Sequence, residues 1–495
     1  MNRRNLICLL LAVFAATVCA VPARGQQVDR PKLVVGIMVD QMRWDYLYTY
    51  YDHWQEGGFK RLLNEGYSCA NTVIDYLPTF TACGHSCVYT GTTPAFNGIV
   101  GNNFFIHGKP TSSVMDTTVT GVGTTTDVGR QSPRNLLVTT LGDELKAATG
   151  MKARVVGISL KDRAAILPAG HAADGAYWYD SKVPGFITST YYMNRLPDWV
   201  SRFNRDNKRT MTDYDLWNNR EGVTMTLAMA EAAIDGEGLG QDAVTDLLAV
   251  SISTTDYVGH AWSTRSVQLD SIYERLDTDL ARFFKTLDAK VGRGNYLLFL
   301  TADHGATHNY AYTSANRLPG DTWGSSAARR EVNDSIKRLT GVEDAIKTAV
   351  GYSLYLNNEA IAAAGADREA VKADIIRLLE RDDRISWVID CERPYERAIP
   401  RDVVDRVVLG YYAKRCGELY VIPVPGVYSG SRTGKGSTHG TWNQSDSHIP
   451  LVFMGWHVPH GERVARCGMI DIAPTIAAML HIQAPDACIG RPIEF

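Results

Sequence analysis

Five short apolar runs punctuate the chain: Lys32–Val39 (KLVVGIMV), Arg154–Leu160 (RVVGISL), Asp246–Ile252 (DLLAVSI), Asn295–Leu300 (NYLLFL) and Ile449–Met454 (IPLVFM). Their apolar positions are continuous rather than alternating, and β-branched residues recur. That is the pattern of strands buried on both faces. Stretches with helical spacing lie between them: Gln41–Tyr51, broken by Gly57-Gly58; Leu136–Ala148, with Leu137, Leu141 and Leu145 on one face and a stop at Gly150; Val223–Ile234; Ser266–Leu287; and Asp471–Leu480. Strands alternating with helices predict an α/β fold, a doubly wound, mostly parallel sheet flanked by helices.

Two stretches depart from this rhythm. From about 306 to 430, Gly, Ser and Asn are frequent at first. A helix (Arg368–Arg381) and short strands (Tyr352–Leu356, Leu419–Ile422) follow. The pattern predicts an inserted α+β subdomain over 306–430, dividing a core made of 26–305 and 431–495. The second stretch is Asp75–Asn103, DYLPTFTACGHSCVYTGTTPAFNGIVGNN. Pro78 forbids a regular element just ahead of Thr79. A short helix is predicted over Thr81–Thr90, stopped by Gly91 and Pro94. A Thr at a helix start is commonly an N-cap worth about 1 kcal/mol. The same position also puts a hydroxyl in the positive field of a helix N-terminus, where an oxyanion and a phosphate are both stabilised. The window alone leaves Thr79 and Thr81 open to either use.

Four of the apolar runs end, within a few residues, on groups able to bind metal or phosphate: Asp40; Lys161 with Arg163; Asp256 with His260; and Asp303-His304. In open α/β sheets the ligand crevice lies beyond the carboxyl ends of the strands. Singly, each has an ordinary explanation. An Asp there caps the next helix, the i, i+4 pair Asp256/His260 is a surface pair, and Lys161, Arg163 and His439 sit in solvated loops. Together, three Asp and three His without thiolates form an oxygen/nitrogen donor set for two divalent metals, and zinc suits imidazole plus carboxylate best. Two such metals serve phosphoryl chemistry.

Composition narrows the setting. At 495 residues, with 45% hydrophobic and 21% charged residues, the chain has the make-up of a globular protein with a large core. Arg3 and Arg4 precede the apolar run Leu6–Val18, and small residues follow. This is a secretory signal pattern over 1–25, with cleavage sites after Ala20 and Gly25, so an exported, periplasmic or secreted protein is expected. Cys19 matches a lipoprotein site poorly, because Val18 precedes it. No further apolar stretch is long enough to span a bilayer. The net charge of −3 becomes −6 without residues 1–25, which hold three Arg and no acid. With no basic stripe, nucleic-acid binding is not expected. Seven cysteines then remain, an odd number and with no C-x-x-C pair, so a zinc–thiolate site is not expected. Gly434-Lys435 fails as a P-loop, because Ser429 stands at the first Gly position and Gly436 at the Ser/Thr position.

These motifs resemble those of the alkaline phosphatase superfamily, in its nucleotide pyrophosphatase/phosphodiesterase-like branch, and more closely the phosphate-irrepressible PafA-type alkaline phosphatases. The matching pieces run from Val39-Asp40-Gln41-Met42-Arg43-Trp44-Asp45-Tyr46, through Thr79-Phe80-Thr81-Ala82-Cys83-Gly84-His85, Asn97–Asn102, Lys161-Asp162-Arg163, Asp256–His260 and Thr301–Gly305, to Thr438-His439-Gly440. The resemblance implies Thr81, four residues before His85, as nucleophile and Asn102 as phosphate-binding amide. It implies one zinc on Asp256, His260 and His439, and a second on Asp40, Asp303 and His304 with Thr81. Lys161 and Arg163 match the pair that contacts phosphoryl oxygens in the monoesterases and is lacking in the diesterases. A broad-specificity phosphate monoesterase acting on small phosphate esters is therefore expected. A phosphodiesterase or nucleotide pyrophosphatase on the same metals is the alternative, and a non-catalytic metal- or phosphate-binding protein the alternative from another class. A sulfatase is disfavoured for want of a C-x-P-x-R segment. Cys83 stands where the family usually has Pro. A bond to Cys87 would strain the helix, so a free thiol is expected.

Overall fold

The computed structural model describes residues 29–208, 210 and 215–495. Residues 1–25, where the sequence predicts an export signal, lie outside them. The part from Pro31 to Phe495 forms one compact unit.

Its centre is a ten-stranded sheet. In chain order the strands are β1 (Leu33–Val39), β2 (Tyr67–Cys69), β3 (Gly121–Val122), β4 (Val155–Ser159), β5 (Gly175–Asp180), β6 (Gly185–Ser189), β7 (Asp246–Ile252) and β8 (Tyr296–Thr301). Four further strands lie in the insertion: β9 (Ile346–Val350), β10 (Ser353–Leu356), β11 (Ile385–Asp390) and β12 (Leu419–Pro423). The sheet is completed by β13 (Leu451–Gly455) and β14 (Gly461–Arg463), and its spatial order is β14-β2-β13-β8-β1-β7-β4-β5-β6-β3. The middle of the sheet, β8-β1-β7-β4, is parallel throughout. Every residue of these four strands is buried, which is why they read as unbroken apolar runs. The fifth run, β13, pairs antiparallel to β8, with Phe453 opposite Phe299. The aromatic strand β5 and its partner β6, between β4 and β3, carry no such apolar signature.

The helices that matter to the site are α1 (Thr81–Thr90), α2 (Asp162–Ala169), α3 (Arg220–Glu237), α4 (Thr254–Trp262) and α5 (Val267–Leu287). The chain after β1 differs from the predicted helix Gln41–Tyr51. Only Tyr46–Thr49 is α-helical, and Gln41, where that helix would begin, takes a left-handed φ of 65°.

Within 306–430, β9, β10, β12 and β11 form a separate four-stranded antiparallel sheet, and an apolar cluster including Ile336, Ile375, Val388 and Val421 covers it. This region grips the chain around α1. The Leu77 N–H donates to the Arg406 carbonyl, and Arg406 Nη1 donates to the Ile74 carbonyl at 2.6 Å. Arg415 Nη1 donates to the carbonyls of Gly98 and Asn135.

Candidate active site

Four parallel neighbours in register must end on the same edge of the sheet. Asp40 follows β1, Lys161 follows β4, Asp256 lies in the first turn of α4 after β7, and Asp303-His304 follow β8. The fold therefore brings Asp40, Lys161, Asp256, His260, Asp303 and His304 together, as the strand-end pattern predicts. His439 arrives from the far side of the insertion. Its loop is clipped into place by Ser437 N–H to the Gly259 carbonyl (3.0 Å) and Thr307 N–H to the Thr438 carbonyl (3.0 Å).

Thr81 opens α1. The structure separates the two threonines. Thr79 is a clamp, donating from Oγ1 to the Thr441 carbonyl and accepting from the Gly440 N–H. Neither threonine caps the helix, whose N-cap is Phe80. The Thr81 hydroxyl lies 3.5 Å from His304 Nε2. Asn102 Oδ1 accepts the Ala82 N–H at 2.9 Å, which leaves its Nδ2 hydrogens for a ligand beside the helix start. His85, one turn along α1, holds the Thr81 carbonyl with Nδ1 (2.9 Å), lies 3.3 Å from Asp303 Oδ2, and meets Ser251 Oγ with Nε2. Sequence reasoning used His85 only to locate Thr81, and its contact with Asp303 is a tertiary one. Cys83 and Cys87 are both buried and free, and the other five described cysteines are free as well.

The imidazoles are oriented alike. His260 Nδ1 lies 2.8 Å from the Ser437 carbonyl, His304 Nδ1 2.9 Å from the Gly305 carbonyl, and His439 Nδ1 2.7 Å from the Thr79 carbonyl. A carbonyl only accepts, so each Nδ1 carries the proton and each Nε2 presents a lone pair in the neutral ring. Those lone pairs face carboxylates. His260 Nε2 is 3.1 Å and His439 Nε2 3.6 Å from Asp256 Oδ1, while His304 Nε2 is 3.6 Å from Asp40 Oδ1 and 3.5 Å from Asp303 Oδ2. Asp40 Oδ1 is buried with no hydrogen-bond partner, and Asp303 Oδ2 has only the 3.3 Å approach of His85 Nδ1, which is already turned to the Thr81 carbonyl. Among the buried members, acceptors aimed at acceptors call for cations between them. At His260, the exposed member, desolvation lowers the pKa but Asp256 outweighs it and raises it. Asp256, His260 and His439 converge as one group able to hold a metal, and Asp40, Asp256 and His304 as another. The donor set fits two divalent ions, and imidazole with carboxylate is zinc's chemistry. Asp303 joins through Oδ2, 3.5 Å from His304 Nε2.

Lys161 is placed differently from the expectation of a phosphoryl contact. Its ammonium sits between carboxylates, 2.5 Å from Asp40 Oδ2 and 2.6 Å from Asp256 Oδ2. Burial alone lowers the Lys161 pKa, but Asp256 and Asp40 outweigh it, so the group stays charged. Burial, with the charges of Asp256 and Asp303, pushes Asp40 well above the usual carboxylate range. Burial also opposes ionisation of Asp256, yet Lys161 and His260 hold it well below that range. Burial keeps His304 and His439 neutral below the ordinary histidine range. Arg163 lies in the first turn of α2, its Nε buried without a partner, in a cleft shared with Trp178, Lys182, Trp217 and Tyr257.

Known proteins agree with this architecture. Residues 34–446 match the family described as Type I phosphodiesterase / nucleotide pyrophosphatase. A Myroides odoratus protein named calcium-transporting ATPase is 43% identical, with 95% of each chain covered. Alkaline phosphatase PafA of Elizabethkingia meningoseptica is 41% identical, with 98% of each covered. The crystal structure of wild-type PafA superposes with a TM-score of 0.90, covering 94% of this chain and 99% of that one. A solved mutant of PafA carries substitutions at a threonine, an asparagine, a lysine and an arginine. The chain belongs to the type I phosphodiesterase/nucleotide pyrophosphatase family, within the alkaline phosphatase superfamily, and resembles its PafA-type alkaline phosphatases.

Proposed function

We propose that the protein is an exported two-zinc alkaline phosphatase that hydrolyses small phosphate monoesters through a phosphothreonine on Thr81. The observation that carries this reading is the meeting, at one sheet edge, of three carboxylates and three Nε2 atoms, two of them on histidines held neutral by burial, beside the Thr81 hydroxyl. The zinc ligands are Asp256, His260 and His439 for one site, and Asp40, Asp303, His304 and Thr81 for the other. Bound zinc would supply Lewis acidity, lowering the pKa of a hydroxyl and stabilising a leaving oxygen.

The chain's own groups do the rest. The N-terminus of α1 and the Asn102 amide hold the phosphoryl oxygens. Thr81 Oγ loses its proton and attacks phosphorus, and the P–O bond to the alcohol breaks with its electron pair on the leaving oxygen. Solvent receives the Thr81 proton and gives one to the leaving alkoxide. Water then attacks the phosphothreonine, the Thr81 Oγ–P bond breaks, and phosphate is freed with the Thr81 hydroxyl restored. The four residue types changed in the PafA mutant are those of Thr81, Asn102, Lys161 and Arg163, which supports the same assignment here. Residues 1–25 serve as the export signal, and 306–430 form an insertion in a core of 26–305 and 431–495. No described helix is long and apolar enough to cross a membrane.

One observation favours a diesterase instead. Lys161 is bound to Asp40 and Asp256 rather than open to substrate. A monoester carries one more negative charge than a diester on its non-bridging oxygens, so cationic Lys161 and Arg163 discriminate only if they reach them. Initial rates on a matched aryl monoester and diester, for the parent and a Lys161→Ala/Arg163→Ala variant, decide this. The proposal expects a monoester preference that collapses in the variant. Equal losses on both substrates would remove the basis for choosing monoesters.

A further inference from the structure

Gln41 follows Asp40 directly and has no part in the reading above. It is 3% exposed and adopts a φ of 65°. That left-handed conformation is costly for a residue with a long side chain, and glycine or asparagine is its usual occupant. What Gln41 gains is a pair of bonds into the site. Its backbone N–H, aimed by the left-handed turn, donates to Asp303 Oδ1 at 3.1 Å. Its side-chain Nε2 donates to Asp256 Oδ1 at 2.6 Å. Asp303 and Asp256 follow different strands and are assigned above to different zinc sites. The neighbouring helix leaves space for this arrangement, since a Cβ at Gly259 of α4 would overlap Gln41 Oε1. Backbone conformation, amide placement and the missing side chain at 259 all serve the same two contacts.

We infer that Gln41 is a positioning residue that fixes the Asp256 and Asp303 carboxylates and so sets the spacing of the two metal trios. This rests on the ligand assignment above. An amide suits the task because it gives a hydrogen to a carboxylate without adding charge, and a ligand so oriented binds metal more tightly. A carboxylate at 41 would repel Asp256. A glycine would keep the backbone bond to Asp303 and release the conformational strain, while losing the bond to Asp256 and the packing of the buried side chain.

The test is zinc binding rather than turnover. EDTA-stripped parent, Gln41→Gly, Gln41→Ala, Gln41→Glu and Asp256→Ala proteins are titrated with Zn2+ against a chromophoric chelator, and the stripped forms are melted in parallel. Gln41→Gly should melt above Gln41→Ala, because only the glycine is relieved of the left-handed strain. One of its two zinc equivalents should weaken by about 10–100-fold, the range typical of losing a group that orients a metal ligand. Gln41→Ala should weaken the same equivalent and also melt lower. Gln41→Glu should weaken it most, and Asp256→Ala should lose it. If both equivalents in Gln41→Gly bind as in the parent, the inference falls. It also falls if the affinities across the series simply follow the melting temperatures, since Gln41 would then be only structural. Two parent-like zinc equivalents in Asp256→Ala would instead overturn the ligand assignment, and the role of Gln41 with it.

Discussion

Replacing Lys161 by Met separates a cation that belongs to the metal-free state from one that belongs to the working enzyme. The ammonium lies within 2.6 Å of two carboxylate oxygens, and Lys161, Asp40 and Asp256 are all under 5% exposed. Methionine keeps most of the side-chain volume and removes the charge. In the stripped protein this leaves two buried carboxylates facing each other without a counter-ion, and breaking a buried pair in this way costs about 3–5 kcal/mol. In the zinc-loaded protein the bound cations neutralise the same carboxylates, so the loss should be under about 1 kcal/mol. The two states form a cycle. The apparent zinc affinity of the folded variant therefore rises by about two to three decades, at about 1.4 kcal/mol per decade. Uptake of a proton by Asp40, whose pKa burial already raises, reduces that gain. The assay is urea unfolding of parent and variant, each with saturating zinc and after chelation. A destabilisation of the same size in both states would refute the reasoning, because Asp40 and Asp256 would then not be the groups the metals neutralise.

Other substitutions probe the supports of the site. Gly84 of α1 packs against the backbone of Asp303 so closely that a Cβ would overlap the Asp303 carbonyl. Gly84→Ala should cost about 1–3 kcal/mol of stability, as overpacking does, and should release zinc at a lower chelator concentration than the parent; a fully stable variant with unchanged zinc retention would show that Asp303 can shift freely. Asp446 is fully buried, accepts from Thr307 and Thr441, and has its pKa raised by burial to about 6. A raised carboxylate pKa means the folded state holds the proton longer, so this contribution is complete below about pH 4 and is lost as pH rises through about 6. The loss is about 3 kcal/mol at 1.36 kcal/mol per pH unit. The stability difference between the parent and Asp446→Asn should change by that amount between pH 4 and 7 in denaturant titrations, and a difference independent of pH would contradict it.

The sequence disclosed the site's address better than its wiring. Buried parallel strands must be apolar throughout, so β1, β4, β7 and β8 stand out as runs, and Asp40, Lys161, Asp256 and Asp303 follow from where those runs stop. Strands β5 and β6 are rich in Gly, Tyr and Thr and packed by tertiary context, so periodicity passes over them. The helix expected to begin at Gln41 does not begin there, because that residue takes a left-handed turn to reach Asp303 and Asp256, contacts more than 200 positions away in the chain. The common orientation of His260, His304 and His439 depends on carbonyls of Ser437, Gly305 and Thr79. Two of these carbonyls lie far along the chain from the rings they hold. The pairing of Lys161 with Asp40 and Asp256 is likewise visible only in three dimensions, and it changes the expected phosphoryl contact into a question about metal loading.

The central claim is that Thr81 carries the phosphoryl group. Zinc-loaded enzyme is mixed with an aryl phosphate monoester, quenched in acid and mapped by mass spectrometry. The account predicts phosphate on the peptide containing Thr81, located at that residue, and its absence from a Thr81→Ala variant that still binds two zinc ions. Phosphate on Thr79 or elsewhere, or turnover surviving in Thr81→Ala at the parent rate, would contradict it.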